Sequence, residues 1–188
     1  MKPKNANDKN TSFTLYQLSE KEKLQRQARI DKMPRPTESK CFKTGETFAK
    51  IKTKDIHGNK INTKSLKGKI IVLNYWFTNC MPCVMEMPEL NKIADKYQND
   101  SSVVFISIAL DDANTIEKFL KLHPFKYAII DNGRFLTTEN NITSYPTNVV
   151  VDQNGKVYFH TSGLAPNTAQ WINKSIEELK APTAQAQL

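Results

Sequence analysis

The chain is poor in cysteine, glycine, histidine and tryptophan, and it has no long hydrophobic run. Three cysteines in 188 residues are too few, and odd in number, for a domain held by disulfide staples. A chain of this length can bury a core without them. The longest apolar stretch, Val103 to Leu110, is eight residues long and broken by Ser107. That is well short of the roughly 20 residues a membrane span needs. The start, Met1-Lys2-Pro3-Lys4-Asn5, lacks the apolar core of a secretory signal. Two readings follow: the chain acts in the cytosol, or an export signal has been removed ahead of Met1. His57, His123 and His160 show neither an i,i+4 pair nor metal-ligand spacing, and each reads as a turn or surface residue.

What the chain has in excess is positive charge, +8 in all, unevenly placed. Residues 1–40 carry +5, residues 41–80 carry +6, and the remainder carries −3. The basic part is mostly lysine without interleaved aromatics. This argues against nucleic acid and for a solvated lysine face, with an acidic partner or an anionic surface as the alternative.

Composition divides the chain into a basic extension over 1–40, a folded domain over 41–181 and a flexible tail over 182–188. Residues 1–12 are polar and read as mobile. Ser19 followed by Glu22 is a capping-box pattern for a helix that must end before Met33-Pro34. Pro34, Pro36, Thr37, Glu38 and Ser39 read as a linker. Phe48 to Ile56 and Lys60 to Thr63 flank His57-Gly58-Asn59 as a hairpin with a glycine turn. Ile70 to Phe77 is apolar on both faces, as a central buried strand is. A helix follows over about 80–97, with Met87, Leu90, Ala94 and Tyr97 at helical spacing. Next come a strand at Val103 to Ala109 and a helix through Ile116 to Leu122, capped from Asp111, Asp112 or Asn114. A short strand at Tyr127 to Ile130 leads to a helical stretch near Phe135 to Asn140. A hairpin at 147–160, turning at Gln153-Asn154-Gly155, and a final helix carrying Ala169, Ile172, Ile176 and Leu179 close the chain. Strand–helix alternation with a closing hairpin predicts an α/β domain with a mixed sheet.

The chemistry concentrates at Trp76-Phe77-Thr78-Asn79-Cys80-Met81-Pro82-Cys83. A buried strand delivers a C-x-x-C pair onto the first turn of a helix, where free N–H groups and the helix dipole favour negative charge. Thiolate is the attacking form of cysteine, and its formation is favoured at such a position. Cys80 is thus the expected nucleophile. Cys83, one turn further in, is the expected resolving thiol that attacks the mixed disulfide. Pro82 stiffens the intervening dipeptide. Cys41, 39 residues before Cys80, reads as a spare free thiol.

These residues resemble the thioredoxin-fold superfamily, specifically its TlpA/ResA-like thiol–disulfide oxidoreductases. The likeness rests on the Gly68-Lys69-Ile70-Ile71-Val72-Leu73-Asn74-Tyr75-Trp76 approach, on Cys80-Met81-Pro82-Cys83, on Glu86 with Pro88, and on Tyr145-Pro146-Thr147. It spans about Gly45 to Leu179. The resemblance implies a thioredoxin-like fold with a central mixed sheet flanked by helices, an N-terminal hairpin addition and a helix-strand insertion over about 111–141. It implies that Glu86 exchanges protons with Cys83, that Pro146 follows a cis bond, and that the backbone of Tyr145 pairs with an extended substrate. Trp76 supports the site. No separate cofactor or metal is implied, the Cys80–Cys83 pair itself being redox-active. Implied partners are protein thiols and disulfides and an upstream electron donor such as a membrane thiol carrier, with the protein a monomer that binds no nucleic acid. The group works in the bacterial periplasm or envelope.

Two positions depart from common thioredoxins. Asn74 stands where a buried Asp is frequent, so proton transfer must rely on Glu86 or water, and Asn79 replaces the usual Trp before the first cysteine. Two rival readings use the same cysteines. A zinc or copper-delivery module of the same fold lacks a second CxxC or a C…H pair. A peroxiredoxin-like antioxidant enzyme lacks the Thr and Pro expected three and seven residues before its cysteine; Phe77 and Leu73 occupy those positions.

Overall fold

A computed structural model describes residues 18–181. The expectations for residues 1–12 and for the tail at 182–188 lie outside the described residues. The chain divides into two compact units, up to Met33 and from Pro34 onward.

In the first unit, α1 spans Glu20–Asp31. Ser19 is its N-cap, and the reciprocal capping box is formed: Ser19 Oγ accepts the Glu22 N–H, and Glu22 Oε2 accepts the Ser19 N–H at 2.8 Å. The helix stops at Asp31, before Met33-Pro34, as the proline requires.

The second unit is built on two sheets. A small one pairs β1 (Lys52–Lys54) with β2 (Lys60–Asn62), antiparallel and shorter than the sequence predicts. Gly58 takes a φ of 82° in the turn between them, a conformation that disfavours a Cβ. The main sheet has five strands: β3 (Ile70–Trp76), β4 (Val103–Ala109), β5 (Ala128–Ile130), β6 (Thr147–Val151) and β7 (Val157–Ser162), in the spatial order β5-β4-β3-β6-β7. The first three run parallel, and β6 and β7 are antiparallel additions. Four further helices complete it: α2 (Met81–Lys96), α3 (Ala113–Leu120), α4 (Arg134–Glu139) and α5 (Thr168–Lys180). This is a thioredoxin-like fold with an N-terminal hairpin and a helix-strand insertion.

The alternation of β3 explains why it reads as apolar throughout. Ile70, Val72 and Trp76 join a core with Met87 and Leu90 of α2, Ile116 of α3 and Ile172 and Ile176 of α5. Ile71, Leu73 and Tyr75 enter a second core with Phe42, Phe48, Ile51 and Ile61. Both faces are covered, so every residue of the strand is buried. Each fully buried large side chain in such a core contributes roughly 1.5–3 kcal/mol relative to exposure.

The segment read as a linker is laid down along the domain. Asn167 Nδ2 donates to the Pro34 carbonyl at 2.8 Å, and Thr161 Oγ1 donates to the Thr37 carbonyl at 2.8 Å. The Arg35 guanidinium sits over the rings of Phe159 and Trp171, at 5.3 and 5.8 Å from their centroids. His160, expected at a turn or surface, is instead 1% exposed. Its Nδ1 accepts the Ser39 N–H at 3.1 Å, so the ring proton of the neutral form belongs on Nε2. The prolines hold the chain extended, and an extended segment can dock on a sheet as readily as it can cross solvent.

Candidate active site

The C-terminal end of β3 places the cysteines. Cys80 is the N-cap of α2, and its Sγ accepts the Cys83 N–H at 3.3 Å. The sulfur occupies the place of a capping oxygen, where the first-turn N–H groups and the helix dipole favour negative charge. Cys80 and Cys83 form a disulfide with Cα atoms 5.2 Å apart. Cys80 is 4% exposed and Cys83 1%. Next to them Pro82, Met81 and Met85 are exposed. Trp76 is fully buried in the same core cluster as the pair, tilted against Phe119 and edge-on to Phe125. Asp111 does not cap α3; Asp112 does so, accepting the Thr115 N–H at 3.1 Å. Asp111 Oδ2 instead accepts the Thr78 N–H at 2.7 Å and so ties down the loop that presents Cys80.

One turn past Cys83 on the same helix, Glu86 points into the core. Asn74 Nδ2 donates to Glu86 Oε1 at 2.8 Å and to Asn148 Oδ1 at 3.0 Å. Asn148 Nδ2 donates to both carboxylate oxygens, at 3.2 and 3.1 Å. Burial pushes the Glu86 carboxyl up to about 7; the Asn148 and then the Asn74 hydrogen bonds pull it partly back. Nearby, burial and then the Glu86 charge hold the Tyr127 hydroxyl protonated far above its ordinary range. The carboxylate is thus poised to gain or lose a proton near neutrality, one helical turn from the inner cysteine.

Asn148 is the member that sequence reasoning missed. It faces Asn74 directly in the antiparallel register of β3 and β6. The available signal was a lone amide in the valine-rich run Thr147-Asn148-Val149-Val150-Val151, matching the lone amide of β3. Residues Tyr145 and Pro146, just before β6, are joined by a cis bond. Pro146 is buried, while half-buried Tyr145 meets Phe77 edge-on at 5.4 Å. Cys41 is a half-buried free thiol. Among the described residues no cluster of three His, Cys, Asp or Glu side chains could hold a metal ion, and no helix is long and apolar enough to cross a membrane.

Comparison with known proteins gives a consistent picture. Residues 44–160 match the model of the AhpC/TSA family. The chain is 32% identical over 149 residues to a thiol-disulfide oxidoreductase ResA of Bacillus cereus, covering 77% of this chain and 75% of that protein. It is 27% identical over 115 residues to the thioredoxin-like protein YneN of Bacillus subtilis (strain 168), covering 60% of this chain and 68% of that one. Among solved structures, a thiol:disulfide interchange protein of Chlorobium tepidum TLS aligns with a TM-score of 0.62 at 20% identity, covering 73% of this chain and 98% of that one. StoA from Bacillus subtilis aligns with a TM-score of 0.58 at 23% identity, covering 68% and 96%. The two structural matches bear on the fold.

Proposed function

The chain belongs to the AhpC/TSA family and is a thiol–disulfide oxidoreductase of the ResA kind, and we propose that it reduces protein disulfides with Cys80 attacking and Cys83 resolving. Its redox centre is the Cys80–Cys83 disulfide. The observation that carries the division of labour is the Cys83 N–H directed at Cys80 Sγ, which favours the thiolate on the outer sulfur.

In the reduced enzyme the Cys80 thiolate attacks one sulfur of a substrate disulfide. A mixed disulfide forms and the first substrate thiolate departs. Cys83 then gives up its proton, with Glu86 as acceptor, and attacks Cys80 Sγ. The intramolecular disulfide forms, the second substrate thiolate is released, and two electrons have passed to the substrate. Each released thiolate takes up one proton. The form with Cys80 joined to Cys83 is the oxidised end state, and two electrons from a thiol donor reset it. Asn74 and Asn148 hold the Glu86 carboxylate in place for the transfer. Substrate backbone would pair at Tyr145, beside Pro146, with Pro82 and Trp76 shaping and supporting the surface.

The partners are protein thiols and disulfides. The donor we infer is a membrane thiol carrier, the place of action the cell envelope, and the working form a monomer with no nucleic-acid partner. The test is trapping. Cys83→Ser should accumulate a mixed disulfide between Cys80 and a substrate protein, and Cys80→Ser should neither trap nor reduce. Retention of insulin-type disulfide reduction by Cys80→Ser would overturn the assignment.

A further inference from the structure

The hairpin of β1 and β2 and the segment leading from it into β3 carry a concentration of cations that disulfide exchange does not use. Lys50, Lys52, Lys54, Lys60, Lys64 and Lys67 are all exposed, and among the described residues none of them makes an ion pair. In the hairpin register Lys54 stands directly opposite Lys60, with Lys52 two residues along on the same face. Like charges opposed across a ladder repel, and a surface needed only for solubility does not require that opposition. The carboxylate of Asp55 offers no relief. It accepts the N–H groups of His57 and Asn59 and the Asn59 side-chain amide, and so is committed to the turn. Asp131 and Glu139 border Lys50 and Lys52 across a side cleft. That leaves Lys54, Lys60, Lys64 and Lys67 the least compensated.

This face is held rigidly. Ile61 is buried beneath the hairpin, the Ile56 N–H donates to the Ile129 carbonyl at 2.8 Å, and the Ile51 N–H donates to Thr63 Oγ1 at 2.9 Å. Beside it opens a cleft of about 240 Å³ with Phe48, Leu66 and Val151 in its lining and Lys50, Lys64 and Lys67 around it. Asp152 also borders the cleft, but its Oδ1 accepts the N–H groups of Asn154 and Lys156.

We propose that this lysine face, with the adjoining apolar cleft, docks the protein on an anionic lipid bilayer. Residues 50–69 contain no Phe, Tyr, Trp or Arg. The face therefore lacks the stacking rings and guanidinium forks with which proteins hold nucleic acid. A lysine array is a set of point charges suited to a diffuse anionic surface. An apolar lining under a cationic rim suits the glycerol and upper acyl region beneath a headgroup.

The test is co-sedimentation of the oxidised full chain with vesicles of phosphatidylcholine alone and of phosphatidylcholine mixed with phosphatidylglycerol. Binding to the anionic vesicles only, weakening as salt is added, is expected. Lys54→Glu/Lys60→Glu/Lys64→Glu should lower partition on the order of a hundredfold, with disulfide reduction in solution unchanged. A triple Lys→Gln variant with an unaltered unfolding midpoint should lose binding less steeply. Equal binding to both vesicle types would overturn the proposal. So would undiminished binding by the triple Glu variant, which would assign it to the basic residues ahead of Pro34. Binding to duplex DNA but not to vesicles would overturn it in favour of a nucleic-acid surface.

Discussion

Replacing Glu86 with glutamine isolates the consequence of burying a carboxyl group beneath α2. Burial raises Glu86 from 4.5 to about 7 in the folded protein. Between those values the folded state holds more protons than the unfolded chain. The sign follows: the contribution of Glu86 to stability is fully present below pH 4.5 and is lost as pH rises through about 7. The displacement corresponds to roughly 3 kcal/mol, a large share of the 5–15 kcal/mol typical of a domain. The assay is urea denaturation of the oxidised protein, wild type and Glu86→Gln, from pH 4 to pH 8.5. The disulfide keeps both sulfurs from titrating in the folded and the unfolded states, and the other ionisable groups are common to both proteins. Relative to wild type, the glutamine variant should gain roughly 3 kcal/mol between the two ends of that range. A constant difference between the two proteins at every pH would refute the reasoning, because Glu86 would then titrate alike in folded and unfolded chains. The same variant should lose the inflection near pH 7 in the rate of disulfide exchange, since glutamine cannot accept the Cys83 proton.

Asn148→Ala removes the amide that makes two hydrogen bonds to the carboxylate and should cost about 1–3 kcal/mol in denaturation above neutral pH; it should also move the inflection of exchange upward in pH, which a merely structural defect would not do. His160 is held below its ordinary 6.5 by burial, against the pull of Glu38 and with a small push from Arg35. Its contribution to stability is therefore present above pH 6.5 and lost as pH falls, and thermal melting of His160→Phe should show a weaker acid dependence than wild type between pH 5 and 7. Gly133→Ala would bring a Cβ within 2.3 Å of Ile108 Cγ2 and 2.8 Å of the Ala109 carbonyl oxygen; such overpacking should cost about 1–3 kcal/mol by urea denaturation, and an unchanged midpoint would show that the end of β4 yields easily.

What sequence made legible, and what it did not, separates by the range of the interactions involved. Ser19 with Glu22, the turn at Gly58 and the arrival of Cys80 at a helix start are each settled within a few residues, and each is where local pattern places it. β3 was equally legible because burial on both faces leaves a single unambiguous apolar run. The docking of Pro34 to Ser39 was not. Proline and polar composition fix an extended backbone but do not say what lies beside it, and the partners here are Phe159, His160, Thr161, Asn167 and Trp171, more than 120 residues away. The placement of Asn148 failed to show for the same reason. Its contact with Glu86 depends on the register that sets it opposite Asn74, and no local pattern carries a register across 74 residues.

The site is therefore assembled from two kinds of information. The reactive pair is written in one contiguous motif, and a chain carrying only that motif at a helix start would already favour a thiolate on its outer sulfur. In the mechanism we propose, the handling of the inner proton is distributed over α2, β3 and β6, through a carboxyl group that both needs burial and resists it. Desolvation alone would drive Glu86 further from ionisation. The two amides return it to a value near neutrality, where a general base is most effective. Changing either amide should then alter the pH dependence of exchange while leaving the cysteines in place, whereas changing the motif should abolish exchange at every pH. That difference in phenotype follows from where each part of the chemistry resides.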